Sequence, residues 1–567
     1  MSSADDLMSL CKRRGFIWPS YEIYGSVAGM YDYGPLGFSL RNNIVEIWRD
    51  LFKGREGFSE IDTETVNPRE VFKASGHLDK FADKITYCTK CGAPFRADHL
   101  IKDFCDNADV MTEKEIEQAF ADHGVVCPDC GGKLGPVEDF NLMFRTNIGP
   151  GSSRIGFLRP ETAQGIFLNY LNLYRYNREK LPFGVMQTGR SYRNEIAPRQ
   201  GMIRMREFNQ MEVELFFDPQ EPFWPRFAEM KDEVLTLLPN TGTETYTMTV
   251  GEAVDKGIIK SQILAYFVGT IKQLLVRAGV DPARLRFREH LKDEMAHYAN
   301  DCWDAEALLS IGWTEITGIA DRGNWDLSRH AQFSGADLTH FKRFSEPKEV
   351  EIEKLRPNRR NIGPAFKGKA KEVADAIDAA VPGDVKDGKL TVTVGGETIE
   401  LGPEMFDKAT VKEKVAGERI IPHVIEPSCG LDRIFYTVLE HAYTHDDAKD
   451  YTVLRLKPEV APVKVGVFPL MEKDGLDDYA RKLCESIHTH RVEAYYDGSG
   501  TIGKRYARMD EAGTPWCITV DYSTLSGPDA GTVTIRDRDT TEQKRIRAED
   551  APSVVARLLA GTPFADI

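Results

Sequence analysis

Between Arg190 and Glu214 the chain carries Arg190, Arg193, Arg199, Arg204 and Arg206 against Glu195, Glu207, Glu212 and Glu214, with no lysine. Arginine keeps its charge and presents a flat fork of donors, so arginine without lysine points to fixed contacts with phosphate or another planar partner. A second group of chemically capable residues is Cys88-x-x-Cys91 and Cys127-x-x-Cys130, each pair followed closely by glycine. Four thiolates in two such knuckles match a closed, tetrahedral structural zinc site. Residues 92–126 separate the pairs, a spacer longer than the roughly 15–20 residues of the common pattern, so an inserted helix is expected over Thr112 to Asp122. The alternative is two unrelated, redox-active pairs.

Each of these groups needs an element to hold it. From Ile203 to Phe216 apolar and polar residues alternate, which predicts a strand. Ile203, Met205, Met211, Val213 and Leu215 fall on one face; Arg204, Arg206, Phe208, Gln210, Glu212 and Glu214 fall on the other. A short partner strand ending at Arg193-Asn194-Glu195, joined through a Pro198/Gly201 loop, completes a hairpin. Such a hairpin would floor a polar cleft, but alternation fits equally a solvent-facing pair of strands with cross-strand ion pairs. Upstream, Leu40 to Phe52 has helical spacing, and the run Phe58 to Val66 reads as a strand stopped by Asn67-Pro68. Residues 219–300 read as helices with one short strand near Thr245 to Thr249. Around Trp313 to Arg322 alternation predicts a strand with Glu315 and Thr317 facing one way. His423 to His441 reads as strand, turn and apolar-faced helix with Arg433 near its start, where the helix amino end favours phosphate.

The 567 residues suffice for two to four domains. A formal net charge of −15 offers no global attraction for nucleic acid, so any RNA contact rests on local basic patches or shape. No run approaches the roughly 18 apolar residues of a membrane helix. The start, with acids before bases and no apolar core, is not a secretory signal. Ten cysteines, four of them in CxxC pairs, fit a reducing compartment and metal binding, and the expected location is cytoplasmic. After Lys457 to Pro462 the text changes: Val463 to Leu470, a strand ending at Asp497, and strands Trp516 to Asp521 and Thr532 to Arg536, with helices between, predict a small, mainly parallel α/β domain. Gly498 to Arg505 lacks the order of a phosphate loop and is read as a turn into a helix.

Arg193-Asn194-Glu195, the loop, and Arg206-Glu207-Phe208 resemble motif 2 of the class II aminoacyl-tRNA synthetases. RNEIAPRQGMIRMREF is similar to the wording of the glycyl-specific members, as are FLRPETAQGIF (157–167), FRADHL (95–100) and HVIEPSCGLDRIFYTVLEH (423–441, motif 3). Helix, strand and proline before residue 68 resemble the dimer-forming motif 1. The resemblance implies an α/β fold whose α+β catalytic core is an antiparallel sheet flanked by helices. It also implies a zinc-binding insertion and a C-terminal α/β anticodon-binding domain. The expected boundaries are 1–86 (catalytic, motif 1), 87–140 (zinc insertion), 141–340 (catalytic core, motif 2), 341–420 (insertion), 421–457 (motif 3) and 462–567 (anticodon-binding).

Residue by residue, the resemblance implies ATP-dependent charging of tRNA(Gly) with glycine by a homodimer. Arg193, Asn194, Glu195, Arg204, Met205, Phe208, Glu315, Ile316 and Arg433 would bind ATP, with Arg193 and Arg433 catalytic as neutralisers of phosphate charge. Glu161, Glu212, Glu426, Pro427 and Ser428 would bind glycine and exclude larger side chains by size. Glu315 would hold Mg2+ brought with ATP, because a hard cation prefers oxygen ligands. Cys88, Cys91, Cys127 and Cys130 would hold a structural Zn2+. Arg536, Asp537 and Arg538 are candidates for anticodon contact. Two rivals stand beside this reading: a synthetase for proline, threonine or serine, and a non-catalytic nucleic-acid-binding relative. Glu212 and the Glu426-Pro427-Ser428 string argue against the first, and the retained Arg193, Glu195 and Arg433 against the second. Asp432 and Cys429 depart from the family pattern, which has a small residue and an aromatic there.

Overall fold

The computed structural model describes residues 4–567 except 106, 152–153, 199–200, 292–293 and 296–298; Arg199 thus lies outside the described residues. Nine strands form the central sheet: β1 Ser59–Glu60, β2 Phe183–Tyr192, β3 Glu207–Phe217, β4 Val234–Leu238, β5 Tyr246–Thr249, β6 Leu285–Glu289, β7 Asp301–Leu309, β8 Gly312–Gly323 and β9 His423–Gly430. Their spatial order is β5-β4-β6-β7-β8-β9-β3-β2-β1. All neighbours are antiparallel except β1 with β2 and β4 with β6. The predicted hairpin is β2–β3, paired from Phe183↔Phe216 to Tyr192↔Glu207.

Three predicted segments are corrected. The regular strand β3 begins at Glu207, and Gly201–Ile203 forms a single 3-10 turn. Ile203 and Met205 are nevertheless buried, because the turn folds them onto the core, so alternation read their burial correctly and their backbone wrongly. The run Phe58 to Val66 pairs only at Ser59–Glu60, and Val66–Pro68 joins a separate sheet. Within 219–300 the strands β4 and β6 appear alongside β5, in runs such as VLTLL too short to separate from buried helix by pattern.

Three helices pack on the sheet's apolar side: α1 Pro35–Arg49, α2 Gln262–Ala278 and α3 Leu431–Ala442. Helix α1 buries Leu40, Ile44, Ile47 and Trp48 and runs on into a wider turn, Asp50–Arg55. Gly37 is required at its start, since a Cβ there would lie 1.9 Å from the Phe16 carbonyl oxygen. The Ser261 hydroxyl accepts from the Leu264 amide to open α2, and Gly279, at φ 109°, closes it. Trp48, Phe52, Phe267 and Trp303 anchor the shared core.

A three-stranded sheet of Ala82–Tyr87, Pro94–Arg96 and Glu138–Asn141 carries the cysteine knuckles. The expected spacer helix is Glu113–Asp122, opened by a reciprocal cap in which Thr112 and Glu115 bond each other's backbone amides.

The C-terminal sheet contains β10 Val465–Pro469, β11 Ala494–Tyr496, β12 Trp516–Val520, β13 Thr532–Asp537 and β14 Gln543–Arg547 in the order β11-β10-β12-β13-β14. It is mixed rather than mainly parallel: β10 is parallel to β11 and β12, whereas β12–β13 and β13–β14 are antiparallel. A parallel return needs a long crossover, and only one short helix, Tyr522–Leu525, separates β12 from β13. Arg536 and Arg538 are buried, the first bonded to both oxygens of Asp510 and the second to Asp539 and the Gly513 carbonyl. Neither guanidinium faces outward, which corrects their candidacy for anticodon contact. Arg505 likewise donates to the carbonyls of Pro469, Gly498 and Gly500, so this glycine-rich segment is held as a turn.

Residues Thr339–Ile421 are a separate compact unit. Two long strands, His340–Pro357 and Phe406–Ile420, pair antiparallel. Beyond them a hairpin of Lys389–Val394 and Glu397–Leu401 turns at Gly395-Gly396, both with positive φ, and packs with helix Ala370–Ala379 around Leu355, Val373, Ile377 and Phe406.

A candidate active site

Adjacent strands β3, β9 and β8 place Glu212 opposite Ser428, Ser428 opposite Gly318, and Glu426 opposite Ala320. Alternation turns Glu212, Ser428 and Glu426 to one face, where they line a cavity of about 240 Å³. Glu161, Arg193, Glu195, Arg204, Met205, Phe208, Glu315, Ile316 and Arg433 line the same cavity. Twelve of the fourteen residues expected to bind ATP or glycine thus meet in one place. Pro427 and Asn194 do not line it: Pro427 alternates to the far face of β9, and the Asn194 amide donates 2.8 Å to the Leu142 carbonyl, pinning the loop.

At one end the walls are carboxylates. Glu212 accepts from the Thr162 amide at 2.8 Å, from Ser428 at 2.7 Å and from Gln210 at 3.0 Å, and also from the Thr162 hydroxyl. Glu161 accepts from Gln164 at 2.8 Å and lies 3.5 Å from His77 Nε2. Beneath them the buried Arg322 donates to both oxygens of Asp326, at 2.8 and 3.0 Å, and to Glu426, with Glu161 at 3.8 Å. Burial pushes the Glu426 carboxyl up to about 8; Arg322 pulls it down, while Glu212 and Glu161 push it further. Burial also raises Glu161, yet the charges of His77 and Arg322 outweigh it and hold this carboxyl below its ordinary range. Glu214, fully buried behind this wall with both oxygens unpartnered, is driven well up by burial and by Glu426. One cation is shared among several acids: together with His77 it holds Glu161 low, while Glu426, although bonded to it, stays raised by burial.

The other end is cationic. The Arg193 guanidinium lies 5.2 Å from the Phe208 ring centre and 5.3 Å from that of Phe81, with Nε donating 3.3 Å to the Pro160 carbonyl. Arg193 forms no ion pair among the described residues; it lines the cavity, and its charge adds to that of Arg433 in lowering Glu315. Arg433, on the first turn of α3, donates 3.1 Å to Ile203 O and 2.9 Å to Glu315 O, and pairs with the Glu315 carboxylate at 3.1 Å. That Arg433 charge lowers the Glu315 carboxyl. Arg206 turns away and donates to the Glu195 carbonyl, fixing the loop, while Arg190 pairs with Glu207 at the surface. Asp432 accepts from Tyr33 and from the Asn209 amide and side chain, so this departure from pattern clamps α3 to β3. Cys429 is buried on the far face.

The four cysteine sulfurs converge: Cys88 and Cys130 are 3.5 Å apart, Cys91 and Cys127 3.7 Å, and all four lie within 4.8 Å. Sulfurs at about 2.3 Å from a tetrahedral zinc stand roughly 3.8 Å apart. Amides of Lys90 and Cys91 donate to the Cys88 sulfur, as suits a thiolate. The donor set therefore fits Zn2+.

Sequence reading missed Arg322, Asp326, Gln164, Thr162 and His77. Thr162 and Gln164 stood inside the quoted RPETAQGIF string, and Arg322 ended the strand run that held Glu315. Their roles come from meeting Glu212, Glu161 and Glu426 across the fold.

Residues 152–442 match the class II tRNA synthetase core domain (G, H, P, S and T), and residues 464–558 match an anticodon binding domain. A glycine--tRNA ligase of Methanothrix thermoacetophila is 49% identical, over 99% of this chain and 98% of that protein. Glycine--tRNA ligases of Archaeoglobus fulgidus (46%, 98% of this chain and 96% of that protein) and Methanocaldococcus jannaschii (45%, 96% and 97%) are similar over almost their whole lengths. The chain belongs to the class II tRNA synthetases. It is an aminoacyl-tRNA synthetase, a ligase with a class II core and an anticodon-binding domain. Within the matched core fall every carboxylate and arginine of the cavity, from Glu161 to Arg433, whereas the cysteine knuckles precede it.

Proposed function

We propose that this synthetase activates glycine with ATP to glycyl-adenylate and pyrophosphate, then transfers glycine to the 3′ end of tRNA(Gly). The carrying observation is the polarity of one small cavity, with the carboxyl groups of Glu161, Glu212 and Glu426 at one end and Arg193, which forms no ion pair among the described residues, at the other. Glu161, Glu212 and Ser428, with Glu426 behind, bind the glycine ammonium. A rigid wall built on three paired strands leaves no space for a side chain, and steric overlap discriminates more strongly than a missing contact. The glycine carboxylate, already ionised, attacks the α-phosphorus without a protein base. Arg193 receives the charge that develops there, held in advance by its two aromatic neighbours.

Arg433 takes the γ-phosphate end and Glu195 the adenine amino group. Adenine meets the part of the Phe208 ring that Arg193 leaves free. Phosphate contact with Arg433 releases the Glu315 carboxylate from its present pair, so that Glu315 is free to hold Mg2+. Mg2+ arriving with ATP would neutralise phosphate charge. Zn2+ on Cys88, Cys91, Cys127 and Cys130 is structural, binding the 82–141 sheet. We also assign the synthetase to the cytoplasm and to a homodimer built on α1. No helix among the described residues is long and apolar enough to cross a membrane.

The test is amino-acid-dependent exchange of labelled pyrophosphate into ATP, with glycine, alanine, serine, proline and threonine assayed separately. Exchange with glycine alone is expected. Exchange with another amino acid overturns the pocket assignment, and none with any, from folded zinc-loaded protein, favours an accessory nucleic-acid-binding role.

A further inference from the structure

On the strand next to β8, in register with Ala320 and Gly318, the cavity holds a group with a different donor chemistry. His290 follows β6, and its amide donates 3.0 Å to the Cys302 carbonyl on β7. Cys302 and Asp304 alternate to the same face of β7. A ring nitrogen of His290, the Cys302 sulfur and an Asp304 carboxylate oxygen all lie within 4.8 Å of one another, and all three residues line the cavity. His290 Nε2 is 2.7 Å from Asp304 Oδ2, while its other nitrogen, Nδ1, is buried with no hydrogen-bond partner. Asp304 lies also 3.5 Å from Arg288, which is turned toward Glu306 and Glu294. Glu315 adds its negative charge nearby, acting on both His290 and Asp304.

One nitrogen, one sulfur and one oxygen donor make a poor Mg2+ site, because a hard ion wants oxygen throughout and reluctantly sheds water. The same set suits a borderline-soft ion, and three protein ligands with the fourth position open to a cavity is the arrangement of an accessible zinc site. Nothing in the proposed chemistry uses the orphaned Nδ1 or the thiol.

We propose that His290, Cys302 and Asp304 form a second Zn2+ site, distinct from the four-cysteine site, whose occupation excludes ATP. The exclusion rests on reading this cavity as the nucleotide site. The three residues line the same cavity of about 240 Å³ as Glu315, Ile316 and Arg433. An ion held there takes up space and charge that the nucleotide would need, and it draws Glu315, which already acts on His290 and Asp304, toward itself. Excess zinc therefore inhibits by competing with the nucleotide, while the zinc held by four thiolates is untouched.

The test starts from full-length protein carrying one structural zinc, to which Co2+ is added as a spectroscopic stand-in. A thiolate-to-cobalt charge-transfer band is expected at one further equivalent in the native chain. It should be lost in Cys302→Ser and weakened at least tenfold in Co2+ affinity in His290→Gln. Saturating ATP supplied as its Mg2+ complex, so that free nucleotide does not strip the Co2+, should abolish the band. A missing band, or one that persists in Cys302→Ser, overturns the site; if Cys302→Ser fails to fold, His290→Gln and Asp304→Asn decide by the same reading. A band indifferent to ATP overturns the exclusion. Glycine-dependent pyrophosphate exchange without added Zn2+ or Co2+ separately tests the nucleotide reading, so the two failures are distinguishable.

Discussion

Arg322 and Glu426 form an ion pair across β8 and β9 with side chains only 1% and 7% exposed. The same guanidinium is chelated by Asp326 and approached by Glu161, so one cation holds the carboxylate end of the cavity in place. Arg322→Leu leaves three buried acids without their counter-charge. Loss of one partner from a buried pair costs about 3–5 kcal/mol. Urea unfolding should show that loss, and glycine-dependent exchange should disappear even in the fraction that remains folded.

Glu426 sets a pH dependence. A carboxyl raised in the folded state binds its proton there first, so the stability that it contributes is full below the unfolded value of about 4.3. It is lost as pH rises through about 8. Binding of the glycine ammonium favours the ionised form and runs the other way. KM for glycine should fall as pH rises from 6 toward 8, by up to roughly tenfold per unit. Glu426→Gln should flatten that part of the profile; an unchanged slope in the variant would assign the titration elsewhere.

Burial, and after it the charge of Glu426, drives the Glu214 carboxyl well above its ordinary range, which favours its protonated form. Glu214→Gln is then an almost isosteric exchange and should alter stability by under about 1 kcal/mol at pH 6. The variant should gain relative to the native chain as pH rises, because only the native carboxyl must resist ionisation. Thermal melts at several pH values read both effects.

Arg193 is braced between Phe81 and Phe208. Arg193→Lys keeps the charge but loses the planar fork and the stacking. A fall in kcat of about 100-fold is expected, the scale of losing one charge-stabilising donor. Phe81→Ala, which frees the guanidinium without removing it, should show a smaller loss in the same parameter under single-turnover conditions.

Zinc removal should reach the active site through the base of the insertion. Phe81 and Leu142 flank the cysteine-bearing sheet, are bonded to each other, and touch Arg193 and Asn194 respectively. Chelation, or Cys127→Ser, should open the 82–141 segment to limited proteolysis. It should raise KM for ATP more than KM for glycine, measured by exchange against metal content.

How much of this was legible beforehand differs by residue. The arginine-rich hairpin, the helix after Thr112 and the cysteine knuckles were readable because each is specified within a few residues, by alternation, a charged helix-prone run or a fixed spacing. The strand-to-helix string around Glu426 and Arg433 carried its resemblance in the same local way. The turn at Gly201–Ile203, the short β1 and the mixed C-terminal sheet were not readable, because burial shows which residues are inside and leaves open how the backbone puts them there.

The residue types were thus determined by sequence alone: forked cations for phosphate and carboxylates for an ammonium in the cavity, thiols for zinc in the insertion. Only the tertiary structure decided which carboxylates are ionised, which arginines are free and which are spent. Those properties depend on distances between β3, β8 and β9, and on burial, which no local spacing encodes: Arg322 and Glu426 are far apart in the chain, yet their charges are meaningful only as a pair.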